Sequence, residues 1–167
     1  ADCWLIIKKY IMKNKKILFL IMISFSCNLY GQTTFQKKLK GIGSVFGVDI
    51  ITDNNSGYYI TGNINSNDSS FIFSSKLNLD ANVIWSKSFG GTDKIYSTKL
   101  INLNNGHLII GCARTITDTI KGLVIKTDNN GNIIWTKIYK SGKILRFNDV
   151  ISLPDKTCYI VGLNDSL

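Results

Sequence analysis

The stretch NVIWSKSFGG, Asn82 to Gly91, returns fifty residues later as NIIWTKIYKSG, Asn132 to Gly142. Aligning Trp85 on Trp135 extends the match upstream, where KLNLDANVIW (Lys76 to Trp85) answers KTDNNGNIIW (Lys126 to Trp135). Downstream, STKLINLNNGHLIIG (Ser97 to Gly111) answers FNDVISLPDKTCYIVG (Phe147 to Gly162). An earlier copy runs from FQKKL at Phe35 through FGVDIITDNNSGYYITG, Phe46 to Gly62. An aromatic anchor thus recurs at Phe35, Trp85 and Trp135, and a glycine closing an apolar run recurs at Gly62, Gly111 and Gly162. Self-similarity at a fixed period of this size is the sequence mark of a repeat architecture.

Within a repeat the pattern is that of strands. NVIWSKSF and NIIWTKIY combine β-branched and aromatic residues with polar residues at alternate positions. YSTKLINL, HLIIGCAR and GLVIKTD are similar short runs, and no window carries a helical period. Between them lie DNNSG (Asp53 to Gly57), NNG (Asn104 to Gly106) and DNNG (Asp128 to Gly131). Asn and Gly supply the positive φ that tight hairpins require. Four antiparallel strands per repeat of about 50 residues point to β-propeller blades.

The order of an aromatic strand, Phe89-Gly90-Gly91 with Asp93, then NNGHLIIG and LVIKTDNNGNIIW, resembles the propeller-type repeats of secreted Bacteroidetes proteins. The resemblance covers residues 35 to 167. It implies export, often with a C-terminal sorting domain for type IX secretion, and implies nothing about a ligand. The double glycine is reduced to Gly41 and Gly43 in the first copy and to Gly142 in the third. Asp128, Gly131 and Trp135 also resemble the tryptophan-docking motif of quinoprotein propellers, with a turn one residue shorter. That likeness implies that Trp85 and Trp135 wedge neighbouring sheets together.

The expected fold is therefore all-β: a partial β-propeller of repeated four-stranded antiparallel blades, incomplete at the C-terminus. Its parts are a strand at 33–40, a blade at 43–89, a second at 94–139 and a half blade at 143–163. Closed propellers have four to eight blades, so the reading expects an N-terminal fragment of a longer chain. The missing C-terminal blades are then its first partner, and the strand at 33–40 would close the ring with them.

Residues 12 to 31 read as a secretory signal peptide. Lys13, Lys15 and Lys16 form a basic start, Ile17 to Phe25 an apolar centre, and cleavage falls after Gly31, leaving Gln32 first. Translation would start at Met12, with residues 1 to 11 lying upstream of it. The apolar run is much shorter than the ~20 residues of a membrane-spanning helix, so no stable span is expected. Cys27 leaves a lipoprotein signal as the alternative, although Phe25 suits it poorly.

The net charge of +9 falls to +5 once residues 1 to 31, with five Lys and one Asp, are set aside. The remaining Lys are scattered, which argues against nucleic acid as a partner. All eleven acidic residues are Asp. Two cysteines, Cys112 and Cys158, remain after the leader; an exported protein can bridge them or keep two buried thiols.

No residue is assigned a catalytic, cofactor-binding or metal-binding role. His107 follows a hairpin turn without Cys or His neighbours and reads as a surface residue. Asp128-x-Asn130-x-Asn132 and Asn78-x-Asp80-x-Asn82 resemble fragments of a calcium loop but lack a bidentate acid at the far end. Asp49, Asp93 and Asp149 are the carboxylates a propeller glycosidase would need, and turn capping is the simpler reading of each. Nucleophile-elbow, P-loop and dinucleotide fingerprints are absent. The sequence thus points to an exported, non-catalytic propeller module with a structural or binding role, secreted or on the cell surface, whose ligand would be a glycan or a protein. The alternative is part of an exported propeller enzyme acting on glycans.

Overall fold

The structure is a computed structural model that describes residues 43–165, apart from 54, 55, 67, 68 and 92. The expected leader, its cleavage point, the strand at 33–40 and Phe35 lie outside the described residues.

The described residues form ten β-strands and no helix. Strands β1 (Ser44–Thr52), β2 (Tyr58–Ser66), β3 (Ser69–Leu77) and β4 (Val83–Phe89) make a four-stranded antiparallel meander. Strands β5 (Lys94–Leu103), β6 (Gly106–Arg114), β7 (Ile120–Thr127) and β8 (Ile133–Tyr139) make a second meander in the same order. Strands β9 (Ile144–Ser152) and β10 (Cys158–Asp165) form an antiparallel hairpin. Hairpin and second meander share one parallel bridge, Ile120 with Ile144, through which their strands count as a six-stranded sheet. Discrete sheets would not share that bridge. It arises where the Ile120 N–H donates to the Lys143 carbonyl across 3.0 Å.

Turn chemistry explains where the strands reverse. At Asp128–Asn132 the Gly131 N–H donates to the Asp128 carbonyl and the Asp128 N–H to the Asn132 carbonyl. The fourth turn residue then needs positive φ, and Gly131 supplies it at 75°. Asn78–Asn82, Thr115–Thr119 and Leu153–Thr157 repeat the same hydrogen bonds, with Ala81, Asp118 and Lys156 at positive φ.

A second repeated device sits inside the sheets. Val48, Thr98 and Asn148 are each skipped by the pairing register, so the first strand of each unit bulges at the same place. Opposite each bulge stands Gly62, Gly111 or Gly162. A Cβ on these glycines would overlap the carbonyl oxygen of Phe46, Tyr96 or Arg146 respectively. The recurring glycine is thus a packing requirement, set by close approach of the bulged strand.

The core divides into two layers. Tyr59, Ile72 and Phe89 of the first meander pack with Leu100, Ile109, Leu123 and Ile125 of the second. Leu108, Ile110 and Val124 point to the opposite face and pack with Val150 of the hairpin. Both faces of β6 and β7 are therefore covered, which is why LIIG and LVI read as unbroken apolar runs. The outward strands β4 and β8 carry Lys87 and Lys137 along their edges, a charge that discourages strand addition.

Candidate functional site

The junction between the two meanders holds most of the unusual side chains. Trp85 of β4 lies against the β7–β8 turn, where a Cβ on Gly131 would come within 2.6 Å of ring carbon Cζ3. Beside it, Lys87 Nζ donates to Asn132 Oδ1 at 2.8 Å. Trp85 also meets Tyr59 at a centroid distance of 6.0 Å, and Tyr59 meets His107 at 3.7 Å. Lys76 Nζ sits 5.0 Å above the Tyr59 ring and pairs with Asp53 at 2.8 Å. That lysine holds the Asp53 carboxyl below its ordinary range, with Ser56 adding a further hydrogen bond.

His107 corrects its reading as a surface residue: it is 2% exposed. Its position after the turn is as expected, but the neighbouring sheet covers it. Burial pushes its pKa down to about 4, and a hydrogen bond to the Asp128 backbone opposes this only in part. Its Nδ1 has no hydrogen-bond partner among the described residues. A histidine in this setting is a neutral packing element, and its acid–base range lies far below neutrality.

Asp49 and Asp149 lie within β1 and β9 and accept hydrogen bonds from backbone N–H groups, which corrects their reading as turn caps. Asp49 Oδ2 of β1 accepts the N–H of Leu100 in β5 at 3.0 Å and pairs with Lys99 at 3.5 Å, so it ties two sheets. Asp149 Oδ1 accepts the N–H of Val150 at 2.8 Å. Asp93 lines a cleft of about 240 Å³ whose walls are otherwise mostly apolar, among them Phe89, Ile95 and Leu123. Neither of the other two lines that cleft. Asp128 accepts the N–H groups of Asn130 and Asn132 and the Asn132 side-chain amide, which is Asx-turn chemistry. Asn78 Oδ1 likewise accepts the Asn82 N–H. Among the described residues no three His, Cys, Asp or Glu side chains gather as metal ligands.

Cys112 is buried, Cys158 is half-buried, and both are free thiols. Two further clefts were not foreseen. One, about 320 Å³, is walled by the β5–β6 and β9–β10 turns, including Asn104, Asn105 and Pro154. The other, about 350 Å³, is lined by Tyr96, Thr98, Cys112, Arg114, Ile120 and Arg146. A sequence signal for it existed, because arginine occurs in this lysine-rich chain only at positions 114 and 146. Compared with known proteins, the chain matches no family model and no curated protein. Among the described residues there is no helix long and apolar enough to cross a membrane.

Proposed function

We propose that the chain is an exported, non-catalytic module built of β-propeller blades, with a structural or binding role at the cell surface or outside the cell. The observation that carries the reading is that the first strands of the three units stand side by side and are tied by polar contacts. Leu100 donates to Asp49, and Asn102 Nδ2 donates to the Thr52 carbonyl at 2.9 Å, joining β5 to β1. Thr98 Oγ1 donates to the Phe147 carbonyl at 2.8 Å, joining β5 to β9. In a propeller the innermost strands of successive blades surround the axis in this way, and each sheet covers the apolar face of the one before.

The same logic supplies the partner. Ile151, Tyr159, Val161 and Leu163 of the hairpin are all more than half exposed. In the register of the repeat they correspond to Ile51, Tyr59, Thr61 and Asn63, the side of the first meander that the second one covers. Trp135, whose counterpart Trp85 rests on a turn glycine, is 37% exposed. A further sheet of the same kind fits this face and would supply the next seat. For the glycan-enzyme alternative, a carboxylate must be free to act, whereas Asp49 is committed to Leu100 and Lys99.

Production of the protein in a Bacteroidetes host tests the reading. The expected product begins at Gln32, is found in the medium or on the cell surface, and binds a glycan or protein without turning it over. An N-terminus kept at Met12 or Ala1 contradicts export. Glycan cleavage that is lost in Asp49→Asn, Asp93→Asn or Asp149→Asn contradicts the non-catalytic role.

A further inference from the structure

The two arginines of the chain, 32 residues apart in sequence, line the same cleft. Eighteen lysines occupy every other cationic position, counting Lys and Arg alone. Yet Arg114, at the end of β6, and Arg146, in β9, line one cleft of about 350 Å³ together with Tyr96 and Thr98. The cleft lies where the hairpin meets the second meander, beside the Ile120–Ile144 bridge. Both arginines depart from the repeat. The position of Arg146 is held by Phe46 and Tyr96 in the other units, and that of Arg114 by Asn65 and Asp165. Positions where a repeat breaks its own pattern, converging on one concavity, are where a site is expected.

The chemistry of the lining is one-sided. Six residues line the cleft; two carry a positive charge and none a negative one. Burial pushes the Cys112 thiol up, with Arg146 opposing this in part, so the sulfur is neutral and cancels neither cation. Arg114 pairs with Asp118 across the β6–β7 turn, but both side chains are more than half exposed. An exposed pair of that kind contributes little and yields readily to a competing anion. The Tyr96 hydroxyl already accepts from Ser70 at 3.1 Å, which leaves its own proton to donate. Guanidinium groups, unlike ammonium groups, present a planar fork matched to an oxyanion.

We propose that this cleft binds a small molecule through an oxyanion group, a carboxylate, sulfate or phosphate, held between Arg114 and Arg146 with Tyr96 as an additional donor. The proposal is independent of whether the sheets belong to a closed propeller. Having only two arginines makes the test direct, since the full chain gives only two side-chain Nε–H resonances in a nitrogen-correlated NMR spectrum. Glucuronate, inorganic sulfate and inorganic phosphate are titrated separately at constant ionic strength, with chloride as the background.

The expected result is saturable movement of both resonances with a Kd on the order of 1 mM for at least one probe. Saturation by glucuronate alone assigns a carboxylate ligand, and saturation by sulfate or phosphate alone assigns those groups. Arg146→Lys keeps the charge and removes the fork, and it should weaken binding about tenfold. Lys137→Ala, a loss of charge outside the cleft, should leave it unchanged. Linear, non-saturating shifts with all three probes, or equal affinity in Arg146→Lys with an unaltered fold, overturns the proposal.

Discussion

The indole of Trp85 rests on the Cα of Gly131, so the last strand of one meander is seated on a turn of the next. Two requirements meet at that glycine. Its φ of +75° is strained for a residue with a Cβ, and the Cβ itself would run into the ring. Gly131→Ala should therefore lower stability by roughly 2–4 kcal/mol in denaturant titrations. Gly91→Ala, which meets nothing within 4 Å, should stay within about 0.5 kcal/mol of the parent. Equal effects would remove the close contact from the account.

Trp85 and Trp135 occupy matching places, opposite Lys76 and Lys126, yet only the first has a seat among the described residues. Trp135 is covered on one side by Lys137, whose Nζ lies 5.2 Å from its ring centroid. Trp85→Ala should cost about 3 kcal/mol, as expected for truncating a packed aromatic, and Trp135→Ala about 1 kcal/mol or less. The comparison is made by thermal and chemical unfolding of the 167-residue chain. Equal losses would mean that Trp135 is seated as firmly as Trp85.

Much of this architecture was legible because its causes are local. The alternation in NVIWSKSF, the turn glycines Gly57, Gly106 and Gly131 and the return of Gly62, Gly111 and Gly162 all leave marks in neighbouring residues, whereas Ala81 and Lys156 take positive φ with no such mark. The burial of His107 left none, since the surface that covers it comes from Tyr59, 48 positions away. The roles of Asp49 and Thr98 were hidden for the same reason: each bonds backbone about fifty residues distant. The arginine cleft was visible as a bias in composition, but only the fold brings positions 114 and 146 together.

The bulge glycines should be intolerant of a methyl group for steric reasons alone. Gly111→Ala drives a Cβ into the Tyr96 carbonyl, whereas the Gly47 position has open space. The expected loss for Gly111→Ala is roughly 2–3 kcal/mol and for Gly47→Ala under about 1 kcal/mol. Urea unfolding midpoints with unchanged slopes would read this out. A tolerant Gly111 would show that β5 does not bulge toward it.

Stability should fall on acidification before the carboxylates titrate. His107 has a folded pKa of about 4 against an ordinary 6.5. Between those values the unfolded chain takes up a proton that the folded chain refuses, so stability declines as pH falls from 6.5 toward 4. The whole shift corresponds to at most about 3 kcal/mol. Asp53, whose pKa is lowered by Lys76, adds a loss only below its ordinary carboxyl range. Unfolding free energies from pH 7 to 4.5 should slope downward in the parent and flatten in His107→Gln. A parallel slope in both proteins would assign the acid sensitivity elsewhere.

The central claim is that the first meander and the hairpin pack against opposite faces of the second meander, leaving β6 covered on both sides. Proton–proton NOEs read this most directly. The account predicts contacts from the His107 ring to Tyr59 and from the Trp85 indole to Gly131 Hα on one side. On the other it predicts contacts from the methyl groups of Leu108 and Ile110 to those of Val150. NOEs confined to one face of β6, or a Trp85 indole without contact to Gly131, would contradict it.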